Sequence, residues 1–302
     1  MQIKFWGVRG SIPCPGASTV KYGGNTPCIE VYFPEIDRLI IIDAGSGLRE
    51  LGNDLMARQK QVEAHLLLSH THWDHIMGFP FFVPAYLPGT HIRMYGPATY
   101  EDESLEQVVG GQMTYRYFPI REAELAANIQ YFNLKEETLD LGDGIIVKTK
   151  YLNHPVLCLG YRIEYKDKVF CTAYDTEPFR NVFITDPEHH DYDAEMAAEG
   201  EQVAIEQNKM IEQFYQGADF LIHDSQYTQE EYEQKFVGWG HSYIEYVCDA
   251  ARRNQVKQLA LFHHDPLRSD EQLDEMTEKY CNNDYCGETK SFFAKEGMVI
   301  EL

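Results

Sequence analysis

Four candidate metal ligands lie within six residues of this chain, in the segment SHTHWDHIMG at residues 69–78. The segment follows a short apolar run, residues 64–68, whose pattern predicts a buried strand. His70 and His72 are two residues apart, so on extended backbone they project to one side and can bind one ion. Asp74 and His75 are adjacent, point apart, and can reach a second ion. The motif therefore predicts two divalent metal ions, with zinc as the first choice and manganese or iron as alternatives.

Three distant segments place further candidate ligands next to apolar runs. His154 precedes a strand-like stretch, Asp175 follows the run 169–173, and His263 and His264 follow the run 259–262. His154 would give the first ion a third nitrogen, and the Asp175 carboxylate can bridge two cations. The pattern alone does not choose between His263 and His264, because a shift of one residue along a strand exchanges their faces.

The order of these ligands, HxHxDH, then a His, then the Asp of YDT, then a His after a strand, resembles the metallo-β-lactamase fold superfamily. The resemblance covers nearly the whole chain and extends upstream to LIIIDAGSGLRELG, where it implies that Asp43 orients ligands or the turn. It implies an α/β fold, a four-layer αββα sandwich of two mixed β-sheets flanked by helices. The two halves of the chain would meet near residue 165. Residues 1–302 would form a single hydrolase domain, with pocket-forming insertions near 98–135 and 178–200.

The C-terminal part, GWGHSYIEYVCDAARRNQVKQLALFHHDP, resembles the corresponding segment of tRNase Z enzymes. By that match His241 is the loop histidine that protonates the leaving group, and Asp224 is the acidic residue that orients it. The same match makes His263 the ligand, with His264 as second choice. The implied catalytic residues are therefore Asp74, His241 and Asp224, and the implied metal ligands are His70, His72, Asp74, His75, His154, Asp175 and His263.

The N-terminal segment MQIKFWGVRGSIPCPG is similar to the branch of the superfamily that contains phosphoribosyl cyclic phosphodiesterases and cyclic nucleotide phosphodiesterases. In its GVRGS turn, glycines allow the backbone to approach a phosphate closely, and Arg9, Ser11 and, further on, Asn25 offer donors for substrate binding. The alternative is ordinary hairpin chemistry, with Arg9 paired to a surface acid.

Two further patterns give structural expectations. Residues 193–216 place five apolar side chains at helical spacing, which favours a core-facing stripe: Met196, Val203, Met210, Ile211 and Phe214. In the first insertion, Tyr115, Tyr117 and Phe118 are either base-stacking residues or, more commonly for such a cluster, packing residues.

The balance of 26 Lys and Arg against 48 Asp and Glu gives a net charge of −22. This charge disfavours a large nucleic acid as partner, since such polyanions are normally held by clustered basic side chains. Seven cysteines without CxxC pairs are typical of reduced thiols in the cytoplasm. No apolar stretch approaches the roughly 20 residues that span a membrane. We therefore expect a cytoplasmic protein without membrane contact that acts on a small phosphodiester, with a homodimer as one alternative for its assembly.

Together these observations predict a metal-dependent hydrolase, and most specifically a dinuclear phosphoric diester hydrolase. It would hydrolyse small cyclic or nucleotide phosphodiesters by attack of a metal-bridging hydroxide. The alternatives are an RNA 3′-end endonuclease of tRNase Z type, a lactonase or thioesterase-type metallo-hydrolase, and a non-catalytic metal-binding protein.

Overall fold

The computed structural model describes residues 1–97 and 103–302. The strands are, in chain order, β1 (Gln2–Gly7), β2 (Cys28–Phe33), β3 (Arg38–Ile42), β4 (Glu63–Leu67), β5 (His91–Pro97), β6 (Asn128–Leu134), β7 (Thr138–Asp140), β8 (Ile145–Leu152), β9 (Cys158–Tyr165), β10 (Lys168–Ala173), β11 (Phe220–Asp224), β12 (Gln258–Phe262), β13 (Lys290–Phe293) and β14 (Val299–Glu301). The α-helices are α1 (Gly47–Ala57), α2 (Trp73–Ile76), α3 (Leu105–Gly111), α4 (Ala194–Phe214), α5 (Gln229–Glu231), α6 (Ile244–Arg253), α7 (Asp270–Tyr280) and α8 (Asn283–Cys286).

The strands form two sheets of seven strands each, with related topologies. The first sheet has the order β14-β1-β2-β3-β4-β5-β6, and the second has the order β13-β12-β11-β10-β9-β8-β7. In the first sheet β3 to β6 are parallel, and in the second β10 to β13 are parallel, while the remaining pairs are antiparallel. Both sheets are thus mixed, as the sequence predicts.

Apolar side chains on the two sheets meet in a central core, and helices cover both outer faces. Phe5 of the first sheet and Phe220 of the second pack edge to face in that core, with ring centroids 6.3 Å apart. Leu51 of α1 belongs to a cluster on the outer face of the first sheet, and Val247 of α6 to a cluster on the outer face of the second. The predicted four-layer α/β sandwich is therefore confirmed.

The boundary between the two halves differs from the expectation. Strands β1 to β6 all belong to the first sheet, and β6 ends at Leu134. The next strand, β7, belongs to the second sheet. Residue 165 lies instead at the β9–β10 hairpin inside the second sheet. The chain therefore changes sheets near residue 136, and β14 returns to pair with β1 at the end.

The two predicted insertions have different contents. Of the range 98–135, residues 98–102 lie outside the described residues, and the remainder contains α3 and the sheet strand β6. The range 178–200 is mostly exposed coil followed by the start of α4. The single domain and the pocket-forming role of both ranges remain predictions.

Helix α4 presents a different face to the protein than its apolar spacing suggests. Met196, Val203 and Met210 are 45%, 49% and 46% exposed. The helix instead buries small residues, including Gly200, where a Cβ atom would overlap Asn181 and Phe183. The expected core stripe is therefore wrong for Met196, Val203 and Met210, because close approach of the preceding segment selects small residues for the buried face there. Ile211, near the end of the helix, is buried as expected.

Among the described residues, each helix is too short or too polar to cross a membrane.

Candidate metal centre

The residues of the centre project from strand ends with an unusual backbone conformation. Asp43 follows β3, Asp175 lies just after β10, and His263 follows β12. Their φ angles are 60°, 32° and 62°, in the left-handed region that non-glycine residues rarely adopt. Such conformations cluster at functional sites, where surrounding structure compensates for their cost.

His70, His72, His154 and Asp175 form the first ligand cluster. Their ligand atoms all lie within 4.8 Å of one another. His154 Nε2 is 3.1 Å from His72 Nδ1, and His70 Nε2 is 3.4 Å from Asp175 Oδ2. The structure thus brings His154, predicted from a distant segment, to the two histidines of the HxH motif.

Asp74, His75, Asp175 and His263 form the second cluster, also within 4.8 Å. His75 Nε2 lies 3.3 Å from Asp74 Oδ2 and 3.2 Å from Asp175 Oδ2. His263 Nε2 lies 3.2 Å from Asp74 Oδ2 and 3.3 Å from Asp175 Oδ1. Asp175 belongs to both clusters, so its carboxylate has the position that a bridging ligand needs.

These clusters fit divalent metal ions. His70 Nε2, His75 Nε2 and Asp175 Oδ1 are buried without a hydrogen-bond partner among the described residues. Buried polar atoms are rarely left unsatisfied, and one cation at each cluster would satisfy all three. A tetrahedral site with bonds of about 2.1 Å has ligand atoms ~3.4 Å apart, which matches the separations above.

Burial and mutual interactions give His70, His154 and Asp175 the protonation states that metal ligands need. Burial lowers the pKa of His154 to about 4 and that of His70 well below its ordinary value, so both rings are neutral near pH 7. Burial alone would raise the pKa of Asp175, but His263, His75 and His70 outweigh it and hold the pKa well below the usual range. The site therefore offers two neutral imidazoles, His70 and His154, together with an ionised carboxylate. At His75 the neighbouring carboxylates of Asp175, Asp74 and Asp43 outweigh burial and hold the pKa well above its ordinary value, so a metal ion there must displace a proton.

Hydrogen bonds to the far ring nitrogens orient three ligand histidines. Asp43 Oδ2 lies 2.7 Å from His75 Nδ1, so the orienting role expected for Asp43 agrees with its position. Gln226 Oε1 lies 2.9 Å from His263 Nδ1, and the Gly240 carbonyl oxygen lies 3.0 Å from His154 Nδ1. Each acceptor fixes the tautomer in which Nε2 faces the cluster. Sequence reasoning missed Gln226 and Gly240, because neither residue type is itself a signal for metal binding.

The structure separates the two adjacent histidines that the sequence left open. His263 points into the second cluster, whereas His264 directs Nε2 to the carbonyl oxygen of Ala294, 2.8 Å away. A side chain on Gly10 would overlap the His263 ring, so this glycine is needed for the close approach of its loop. The geometry therefore favours His263 as the ligand.

His241 lies beside the clusters and is held by Asp224. Its Nδ1 is 3.0 Å from Asp224 Oδ2, so the shorter aspartate reaches the histidine. Backbone N–H groups of Ser242 and Thr176 also donate to that oxygen, at 3.1 and 3.2 Å, which fixes the carboxylate. Burial alone would lower the pKa of His241, but the Asp224 charge outweighs it and raises the pKa to about 9. His241 is thus protonated near pH 7 and can donate a proton from Nε2.

We expect Asp224→Asn to shift the pH dependence of any reaction that needs protonated His241. Because the raised pKa keeps the ring charged below about pH 9, activity should fall as pH rises through that value. Loss of the Asp224 charge should move this alkaline limb down by about 1–3 pH units. The measurement is kcat/KM against pH for both proteins, with Asp219→Asn as a control carboxylate outside the site. An unchanged limb in Asp224→Asn would contradict the assignment.

Glu177 organises the loop that carries His241. Its buried carboxylate accepts hydrogen bonds from the backbone N–H groups of Gly238 and Gly240, at 2.7 and 2.9 Å, and from the Tyr232 hydroxyl at 2.5 Å. Gly240 has a φ of 84°, and a Cβ atom there would overlap the His154 ring. One carboxylate thus positions both a ligand histidine, through the Gly240 carbonyl, and His241. Sequence reasoning missed this residue, although it lies only two positions after Asp175.

We expect Glu177→Gln to lower the free energy of unfolding by about 1–3 kcal/mol. The glutamine NH₂ group would replace one carboxylate oxygen and face backbone N–H or hydroxyl donors, which need an acceptor. The measurement is the urea midpoint at unchanged slope. Arg180→Gln is the matched control: its Nε is 3.8 Å from Glu177 and its side chain is half exposed, so the cost should stay below about 1 kcal/mol. Equal effects of the two changes would show that the loop does not depend on the carboxylate.

Two of the three predicted substrate-binding residues lie away from the cavity. Arg9 is fully buried, and its guanidinium donates to the carbonyl oxygens of Gly23, Asp265 and Arg268. Asn25 donates to Glu296 and accepts from the Ser46 hydroxyl. Both expectations are corrected: Nε and Nη1 of Arg9 and the Asn25 amide have partners that join the N-terminal loop to neighbouring segments, and Nη2 of Arg9 faces Asp270 at 4.0 Å.

Ser11 does line the cavity. Its backbone N–H donates to Asp74 Oδ2 at 2.7 Å, and its side chain is exposed. The cavity has a volume of about 480 Å³ and is lined by Ser11, Thr71, His72, Trp73, Asp74, Asp175, His241 and His263. Tyr115 and Tyr117 are not among these residues, and Phe118 packs on Phe81 with ring centroids 5.4 Å apart. The structure therefore favours packing for Phe118, whereas Tyr115 and Tyr117 are 57% and 74% exposed outside this cavity.

Two solved structures match the chain over almost its full length. The metallo-β-lactamase fold protein YhfI from Bacillus subtilis aligns with a TM-score of 0.66 and 18% identity, covering 99% of each chain. The chain has the metallo-β-lactamase fold. A diphosphatase from the PhnP family aligns with a TM-score of 0.64 and 16% identity, covering 100% of this chain and 97% of that one.

Comparison of the sequence with curated proteins finds distant relatives. No protein-family model matches the sequence of this chain. A curated relative, Ribonuclease Z of Synechococcus sp. (strain CC9311), is 25% identical over 88% of each chain. Further curated relatives have the same name.

The ribonuclease names correct one expectation from composition. The net charge of −22 does not exclude a large nucleic acid, because relatives that match this chain over most of its length are named as ribonucleases. The physical reason is that net charge averages over the whole surface, whereas a cluster that binds divalent cations can attract phosphate locally.

Proposed function

We propose that this protein is a dinuclear metal-dependent phosphodiesterase that hydrolyses small cyclic or nucleotide phosphodiesters. The observation that carries the proposal is the sharing of one cavity by two ligand clusters and a protonated histidine. Asp175 joins the clusters, and His241 lines the same 480 Å³ space. The names of similar proteins, a ribonuclease and a diphosphatase, support chemistry at phosphorus.

In this proposal the first cluster holds one divalent ion and the second cluster holds the other, with zinc favoured by the imidazole-rich ligand set. Bound divalent ions supply Lewis acidity that lowers the pKa of water and neutralises charge on phosphate oxygens. Asp43, Gln226 and the Gly240 carbonyl hold the ligand imidazoles in the correct tautomer.

His241 acts as the general acid. Asp224 accepts the Nδ1–H hydrogen bond and stabilises the charged ring, which leaves the Nε2 proton for the departing oxygen of the substrate. The Ser11 hydroxyl, at the cavity wall, is proposed to donate to a phosphate oxygen. Exposed polar groups of this kind orient a substrate, whereas the ions and His241 carry the chemistry.

A second candidate is an RNA endonuclease, which the names of the curated relatives favour. Both candidates use the same clusters and the same acid, and they differ only in how much of the substrate lies outside the cavity.

The test is an activity screen of the metal-reconstituted protein near neutral pH. Its substrates are bis-p-nitrophenyl phosphate, 2′,3′- and 3′,5′-cyclic nucleotides, a lactone and a precursor tRNA, with Asp74→Ala as the control. Turnover of the small phosphodiesters that is lost in Asp74→Ala supports the proposal. Turnover of precursor tRNA alone selects the second candidate, and turnover of the lactone alone overturns both. The cytoplasmic location and the homodimer remain predictions.

A further inference from the structure

Trp73 lies between two residues of the ligand motif, His72 and Asp74, and is the first residue of α2. The next three residues of the helix are buried, at 6%, 0% and 2% exposure, whereas Trp73 is 76% exposed. Successive side chains on a helix project about 100° apart, so a helix that turns Asp74 and His75 into the protein must turn Trp73 outward. The ligands therefore fix the direction of this ring.

The exposed ring forms part of the cavity wall. Trp73 lines the same 480 Å³ space as His72, Asp74, Asp175 and His241. Among the described residues, its indole has no aromatic neighbour or hydrogen-bond partner. By contrast, Trp6 donates to Glu30 at 2.9 Å, and Trp239 packs edge to face on Phe236 at 5.5 Å. Isolated exposed apolar residues are common, but few are held in a cavity wall by the residues of the reaction centre.

We propose that Trp73 is a specificity-determining residue that stacks on the nucleobase of a nucleotide substrate while the phosphodiester lies at the two ligand clusters. This inference rests on the proposed function and narrows its substrate class to nucleotides, as opposed to phosphodiesters without a base. Stacking of a base on an aromatic ring contributes appreciably to binding and tolerates any base, because every base has a π-face. A cavity of about 480 Å³ is within the range that encloses a small ligand.

The experiment compares two substrates that differ only in the base, adenosine 2′,3′-cyclic phosphate and methyl ribofuranoside 2′,3′-cyclic phosphate. For the adenosine substrate, Trp73→Leu is expected to lower kcat/KM about tenfold or more, mainly through KM, and Trp73→Phe should retain most of the value. The methyl riboside should be unaffected by either change. Tyr117→Leu removes another exposed aromatic side chain, one that does not line the cavity, and should affect neither substrate. Equal losses on both substrates in Trp73→Leu would mean a structural role in the ligand loop, and no loss would exclude stacking.

A binding measurement separates this inference from the proposed function. In a Trp239→Phe background, adenosine 5′-monophosphate should quench the fluorescence of Trp73 in the zinc-loaded protein, and ribose 5-phosphate should not. The quenching should disappear in the additional Trp73→Phe variant. If no phosphodiester is hydrolysed but base-dependent quenching is present, the proposed function fails and nucleotide stacking stands. Quenching that is absent, or equal for both ligands, overturns the stacking proposal regardless of activity.

Discussion

An Asp175→Asn variant is expected to bind less than about one divalent ion per chain and to lose roughly 10³-fold or more of kcat. Asp175 is the member that both ligand clusters share, so the loss of its charge weakens both sites at once. Lewis-acid assistance is worth several kcal/mol, and about 4 kcal/mol corresponds to ~10³ in rate. The amide has nearly the same shape, so the change tests charge and not packing.

The measurements for Asp175→Asn are metal content per chain after dialysis and turnover of the best substrate. Asp219→Asn is the control, since Asp219 is also buried but pairs with Lys257 at 2.7 Å, outside the clusters. Full metal content in Asp175→Asn, with full turnover, would show that the two clusters do not share a ligand.

His241→Gln should reduce turnover by about 10² to 10⁴ for substrates with an alkoxide leaving group. It should have a much smaller effect on bis-p-nitrophenyl phosphate, because p-nitrophenolate leaves readily without a proton. The reason lies in the geometry: Asp224 holds His241 Nδ1, and the ring stacks on His263 with centroids 4.9 Å apart, so Nε2 is the proton donor.

Metal content must be measured for His241→Gln as well, because its ring contacts a ligand histidine. If the variant keeps its metal and loses the same factor on both substrates, His241 is not the general acid. A selective loss on the alkoxide substrate assigns it that role.

The sequence predicts the ligand clusters well because their signals are local and periodic. Parallel strands end at one edge of a sheet, so candidates next to apolar runs, such as Asp175 and His263, converge there. The four-layer fold follows from the same alternation together with the resemblance to a superfamily. What the sequence does not determine is the environment of each polar group. From the sequence alone, the Arg9 side chain is a possible hydrogen-bond donor to substrate. The structure shows that it is buried and donates to backbone carbonyl oxygens instead.

Other features that the sequence leaves open or misassigns have a similar origin. The choice between His263 and His264 depends on the direction of a side chain after a left-handed residue, which no periodicity describes. Gln226, Glu177 and the Gly240 carbonyl act through hydrogen bonds formed between distant segments. The exposure of Met196, Val203 and Met210 on α4 shows that apolar spacing does not identify the buried face where small residues allow closer packing.

The left-handed conformations of Asp43, Asp175 and His263 have a consequence for maturation of the protein. Each costs on the order of 1–2 kcal/mol in an L-amino acid. In the metal-free protein, His75 lies within 3.3 Å of both the Asp74 and the Asp175 carboxylates and offsets part of their repulsion. Binding of divalent ions at the two clusters would add free energy that offsets the backbone strain, so it would stabilise the folded form of this edge. Availability of metal in the cell would then control how much folded protein accumulates, and not only how fast each molecule works.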